Sequence, residues 1–174
     1  AANPDGERRA AITHAIEGGG YEAAPRTVAV TVEDDDSAGV VISNPAVRVS
    51  GAPTGIGRDG VLRVFHRWTY TVTLTSKPTS EVTVQIDPGD KIDRVSVTLG
   101  HRIGSAGDIG NLTQGLTHEV VLQPDKWDDG ATIQVTVIAP ADHEGMATLK
   151  HKTISEDPSY SDREWETLPV AWGS

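Results

Sequence analysis

The chain has no cysteine, which removes disulfides, thiolate metal sites and cysteine nucleophiles from consideration. That absence leaves the compartment open, because extracellular repeat proteins can do without disulfides. Cations are also scarce: 15 Lys and Arg stand against 25 Asp and Glu, a formal charge of −10. A phosphate-backbone partner needs cations that displace counterions, so the balance argues against nucleic acid and anionic membrane. No apolar run approaches the ~18 residues of a membrane span, so no membrane insertion is expected. The opening residues Ala1 to Glu7 are polar and carry no signal-peptide pattern. With no initiator Met, the sequence reads as a segment of a longer chain. Nor does any stretch sustain apolar spacing at i, i+3, i+4 and i+7 over three turns, and β-branched residues crowd the regular stretches; little helix is expected.

What the sequence does hold is alternation. With 174 residues, 37% of them hydrophobic, it can fill one sandwich-sized core with a remainder. Residues 61 to 74 place Leu62, Val64, His66, Trp68, Tyr70, Val72 and Leu74 on one face of a long strand, with Arg63, Arg67, Thr69, Thr71 and Thr73 on the other. Ser76 to Ser80 reads as a turn, Val82, Val84 and Ile86 as a strand, and Asp87-Pro88-Gly89-Asp90 as a second turn. Val95, Val97 and Leu99 follow, then a Gly-rich loop from Gly100 to Gly115, then strands at Val120 to Leu122 and at Ile133, Val135 and Val137. Short strands separated by turns predict an all-β sandwich.

An internal repeat organises the chain. Asp5, Glu7, Ala10, Ile12 and His14 recur as Asp142, Glu144, Ala147, Leu149 and His151, each 137 residues on. A tyrosine and an alternating strand follow in both: Tyr21 with Val28, Val30 and Val32, then Tyr160 with Leu168, Val170 and Trp172. Self-similarity at a fixed period signals an array. Residues 1–37 are therefore expected to close an upstream sandwich, ending in an acidic hinge, and 38–174 to form one complete sandwich. The first segment is too short to bury a core alone and must pack on the following repeat, on the missing part of its own repeat, or on another chain such as an identical subunit.

The hinge, Glu33-Asp34-Asp35-Asp36, concentrates carboxylates that repel one another. Either water solvates them or a hard cation such as Ca2+, which takes six to eight oxygens, gathers them. The run from Asp34 to Val40, the stretch Tyr70 to Val84, and Trp127 followed by Ile133 to Val137 together resemble the tandem Calx-beta-type repeats of large extracellular proteins. The resemblance implies an immunoglobulin-like antiparallel sandwich with calcium, where present, at the end facing the next repeat. Its ligands would come from an acidic loop before a late strand and from the acidic residues closing the last strand. These motifs fall on Asp5, Glu7, Asp34, Asp35 and Asp36 in the first copy and on Asp142 and Glu144 in the second.

Other signals are weaker. Gly55 to Gly60 has the letters of a dinucleotide loop, but a strand follows where a helix N-terminus is needed, so a flexible loop is expected. Six histidines show no tight ligand spacing, and His14 and His151 read as packing or hydrogen-bonding residues. No Gly-x-Ser-x-Gly elbow is present, and no enzyme is expected. Trp68 and Trp172 fall in strand alternation as core residues, Trp127 opens a strand, and Trp165 is the candidate for carbohydrate contact. Asn111-Leu112-Thr113 is an N-glycosylation sequon. The functional expectation is a structural module of an extracellular or cell-surface filament, appendage or adhesin stalk, with a carbohydrate-binding or calcium-sensing sandwich as the alternative.

Overall fold

The computed structural model describes residues 8–16, 23–32, 37–43, 46–90, 94–104 and 107–173. The candidate residues Asp5, Glu7, Tyr21, Asp34, Asp35 and Asp36 lie outside them. Among the described residues there is no helix. The strands are β1 (Arg8–Ile16), β2 (Ala23–Val32), β3 (Val40–Ile42), β4 (Ala46–Ile56), β5 (Leu62–Leu74), β6 (Val82–Asp87), β7 (Ser96–Ile103), β8 (Gly110–Gln114), β9 (His118–Leu122), β10 (Ala131–Pro140), β11 (Gly145–Ser155), β12 (Arg163–Glu164) and β13 (Leu168–Trp172).

All pairings are antiparallel. One sheet runs β3-β5-β10-β7-β8, with β4 also on β5; a second runs β12-β11-β6-β9, with β13 also on β11. With β3 and β4 taken as strand A, the main strands pair as A-B-E-D in one sheet (β5, β10, β7) and C-F-G in the other (β6, β11, β13), the immunoglobulin arrangement. Strands β8 and β9 are inserted between D and E and lengthen one sheet each.

Alternation explains the core. On β5, His66, Trp68, Tyr70, Val72 and Leu74 are buried, as the period of two requires. They face Val82, Val84 and Ile86 of β6 and their neighbours, while Ile133, Val135 and Val137 of β10 are fully buried in the centre of the first sheet. Trp68 and Trp172 belong to this core, and Trp127 packs against it from the turn before β10. The β5–β6 turn is pinned from the other side by Tyr160, fully buried, whose hydroxyl donates to the Ser76 carbonyl at 2.8 Å and contacts Ser76 Oγ at 2.9 Å.

Two loop expectations are corrected. Residues 100 to 115 are not one loop: β7 continues to Ile103 and β8 occupies Gly110–Gln114. Gly100 lies in β7 because a Cβ there would meet Ile109 Cγ2 at 2.6 Å and Leu112 Cδ2 at 2.8 Å, so the glycine lets the returning chain approach closely. Gly55 and Ile56 end β4, and Gly57 to Val61 is a closed turn with a Gly57 N–H to Val61 carbonyl bond of 2.8 Å, braced by the Asp59–Arg63 ion pair at 2.8 Å.

Candidate functional site

The most informative geometry is the strand ribbon that occurs twice. In β11 and β13, Gly145, Met146, Ala147, Thr148 and Leu149 pair with Trp172, Ala171, Val170, Pro169 and Leu168. In β1 and β2, Arg8, Arg9, Ala10, Ala11 and Ile12 pair with Val32, Thr31, Val30, Ala29 and Val28. The first strands correspond at 137 residues and the second strands at 140, so the five pairs coincide. The coincidence survives an irregularity. Ile16 pairs with Ala23, one residue out of step with His14 and Arg26, and Thr153 pairs with Arg163, one residue out of step in the same direction relative to Leu149 and Leu168. A slip shared in place and direction is not produced by alternation alone, since the apolar pattern constrains only parity.

The surroundings of the ribbons differ. Ala147, Leu149, His151, Thr153, Leu168, Val170 and Trp172 are all buried. Their counterparts Ile12 and Val28 are each 51% exposed, and β1 with β2 forms a two-stranded sheet of its own.

His151 shows what the inward face does. Its Nδ1–H donates to the Glu166 carbonyl at 2.9 Å, which leaves Nε2 to accept the Tyr70 hydroxyl at 2.9 Å from the opposite sheet. Burial holds the imidazole below its ordinary value of 6.5, with the Glu166 carbonyl opposing, and pushes the Tyr70 phenol up. A second imidazole bridge joins the sheets where His101 Nδ1 meets His118 Nε2 at 2.7 Å and His118 Nδ1 meets Thr113 Oγ1 at 2.9 Å. The sequence gives no signal for that pair, because β7 and β9 come together only through the insertion.

The acidic turn between β10 and β11 carries Asp142 and Glu144, both exposed. The His143 N–H bonds the Pro140 carbonyl at 3.0 Å, and its ring stacks on Trp172 with centroids 6.5 Å apart. Glu144 lies on the chain leaving β13: a Cβ at Gly173 would meet its Cγ at 2.5 Å. Among the described residues no group of three or more His, Asp or Glu could hold a metal. Asp142 and Glu144 by themselves do not meet the six to eight oxygens of a calcium ion.

Trp165 is only partly exposed. Its backbone N–H bonds the His151 carbonyl at 2.9 Å, its indole N–H donates to Thr153 Oγ1 at 2.9 Å, and its ring packs against the core. One part of it borders a cleft of about 340 Å3 shared with Gln85, Asp87, Lys150, Lys152 and Glu164. Asn111 is exposed at the start of β8 with a φ of 51°, and its sequon partner Thr113 is the residue bonded to His118.

No family model and no curated protein matches the chain. Among solved structures it is similar to the N-terminal domain of PorA, with 14% identity over 76% of this chain and 95% of that chain and a TM-score of 0.45.

Proposed function

We propose that the chain is a structural repeat module of a large extracellular or cell-surface protein: a complete sandwich preceded by the closing ribbon of another. The observation that carries this reading is the ribbon repeated with its register and its slip. Modules of this kind interact mainly with nearest neighbours, so their junctions set the stiffness of the string and their cores set its stability. The role is that of a scaffold that transmits load or spaces adhesive elements, with no catalytic step, and Asn111 is its proposed glycan acceptor.

Calcium belongs to the junction in this proposal. In the second copy Glu144 lies against Gly173; the residues at the corresponding places of the first copy are Glu7 and Glu33, followed by Asp34, Asp35 and Asp36. A cation there would relieve repulsion and stiffen a flexible joint. The test is calorimetric titration of calcium into the chain extended upstream by one repeat, beside the same chain with Asp34, Asp35 and Asp36 changed to Asn. Binding that vanishes in the variant supports a calcium joint. Absence of binding in both removes calcium and leaves the repeat reading to small-angle scattering, which must then give an elongated particle.

The cleft beside Trp165 favours a second reading, saccharide binding, because it joins an aromatic ring to several polar side chains. Retention on immobilised glycans that disappears on Trp165→Ala would support it; no retention of the parent chain would sink it.

A further inference from the structure

We propose that the apolar face of the β1–β2 ribbon docks on the body of another sandwich of this same construction, one whose own F–G position is empty, with His14 bonded to the tyrosine that body presents at the place of Tyr70. The inference rests on the repeat reading and adds the partner's chemistry and the contacts that recognise it.

Three observations define the occupant. The five coincident pairs and the common slip make β1–β2 an F–G ribbon, and an F–G ribbon has one known setting in this molecule. There, β11 uses Lys150 to Ser155 to pair with Val82 to Asp87 of β6, while its inward face meets the opposite sheet. The occupant of the first ribbon must therefore bring a C-like strand to the β1 edge and an apolar B–E face over Ile12 and Val28. Those two side chains are half exposed, where Leu149 is fully buried and Leu168 is 8% exposed.

His14 supplies the polar part. It pairs with Arg26, which stands 140 residues before Glu166, the residue whose carbonyl holds the His151 Nδ1–H. Held in the same way, His14 would offer Nε2 to a phenol crossing from the facing sheet, as His151 does to Tyr70 at 2.9 Å. An intact second copy of this chain is not the occupant, because its body already holds β11 and β13.

The test replaces residues 145–172 of the 174-residue chain by residues 8–32 and follows urea unfolding. The exchange is expected to fold with one cooperative transition, to lose that transition when Ile12 and Val28 are changed to Asp, and to fall about tenfold in folding constant with His14→Ala. Folding that is indifferent to the Asp pair would overturn the proposal. Should the exchange not fold at all, amide hydrogen exchange decides. Protection of β1–β2 that rises at least a hundredfold in the chain extended upstream, and is lost with Ile12→Asp and Val28→Asp, supports it; fast exchange at both lengths overturns it. An elongated array in which the folded exchange is indifferent to the Asp pair, or in which β1–β2 amides exchange fast at both lengths, sinks this inference alone, whereas a successful exchange in a compact, calcium-indifferent parent sinks the array and keeps the ribbon.

Discussion

The ribbons β1–β2 and β11–β13 share a register, a slip and a row of apolar side chains, yet one is exposed and the other is core. Backbone pairing, then, is set within the ribbon by alternation and cross-strand neighbours, while burial is conferred by what lies opposite. A two-stranded ribbon is marginal by itself in water, and three or more strands or a covering layer are needed for independent stability. The second copy obtains that support from β6 and from the facing sheet.

The largest expected effect separates the two copies directly. Leu149→Ala removes a fully buried side chain and should cost roughly 2–5 kcal/mol in urea unfolding. Ile12→Ala, at a site 51% exposed, should cost under about 1 kcal/mol in the same chain. Equal losses would break the comparison by placing Ile12 in a packed core. Next in size is Tyr70→Phe, which leaves the buried His151 Nε2 without its donor and should cost about 1–3 kcal/mol. His151→Phe made on top of Tyr70→Phe removes the orphaned Nε2 but releases the Glu166 carbonyl that Nδ1–H held, so the double variant should recover little of that loss.

Acid probes the buried side of the comparison. Burial holds His151, His101 and His118 below the ordinary value of 6.5; the neighbouring imidazole of His101 also lowers His118, while Glu166 opposes at His151 and Glu119 at His118. The unfolded chain therefore takes up protons near pH 6.5 that the folded chain refuses, and stability should fall as pH drops through that value. The slope is at most about 1.4 kcal/mol per pH unit for each histidine, and less for half-exposed His101. Asp157 acts lower. Burial raises it, but the Thr79 and Ser159 N–H groups, each 2.8 Å away, outweigh burial and hold it below 3.8. Its contribution is present above that ordinary value and lost as pH falls through its folded value. Melting temperatures measured from pH 7.5 to 3 check both steps; a flat profile between 7 and 5 would contradict the buried, neutral histidines.

How legible was this in the sequence? The inward row of β5 and the correspondence of Ala10, Ile12 and His14 with Ala147, Leu149 and His151 follow from period-two alternation, which a sandwich enforces. The slip does not, because pairing partners are absent from a linear pattern. The end of β7 beyond Leu99 and all of β8 were hidden for the opposite reason: Gly100, Gly104, Gly107 and Gly115 read as loop residues. The last three do have positive φ, but Gly100 serves close packing inside a strand. Of the candidate site, Asp142 and Glu144 fall on one exposed turn as their spacing implied. The contact of Glu144 with Gly173 depends on the ribbon bringing the two ends of β11–β13 together.

The smallest prediction concerns Trp165, where the copies diverge: the residue 140 positions earlier is Pro25, which has no N–H of any kind. The sequence suggests an exposed ring in Asp162 to Glu166, whereas the bond to Thr153 and the packing on the core tie it down. Trp165→Phe keeps most of the ring and deletes the donor, so unfolding should register a loss of about 0.5–1.5 kcal/mol. That loss would mark the indole as a fastener of the crossing between β12 and β13, a fastener the exposed first ribbon lacks. No loss would mean that water replaces the bond freely, which is the accessibility a saccharide bound in the neighbouring cleft would require.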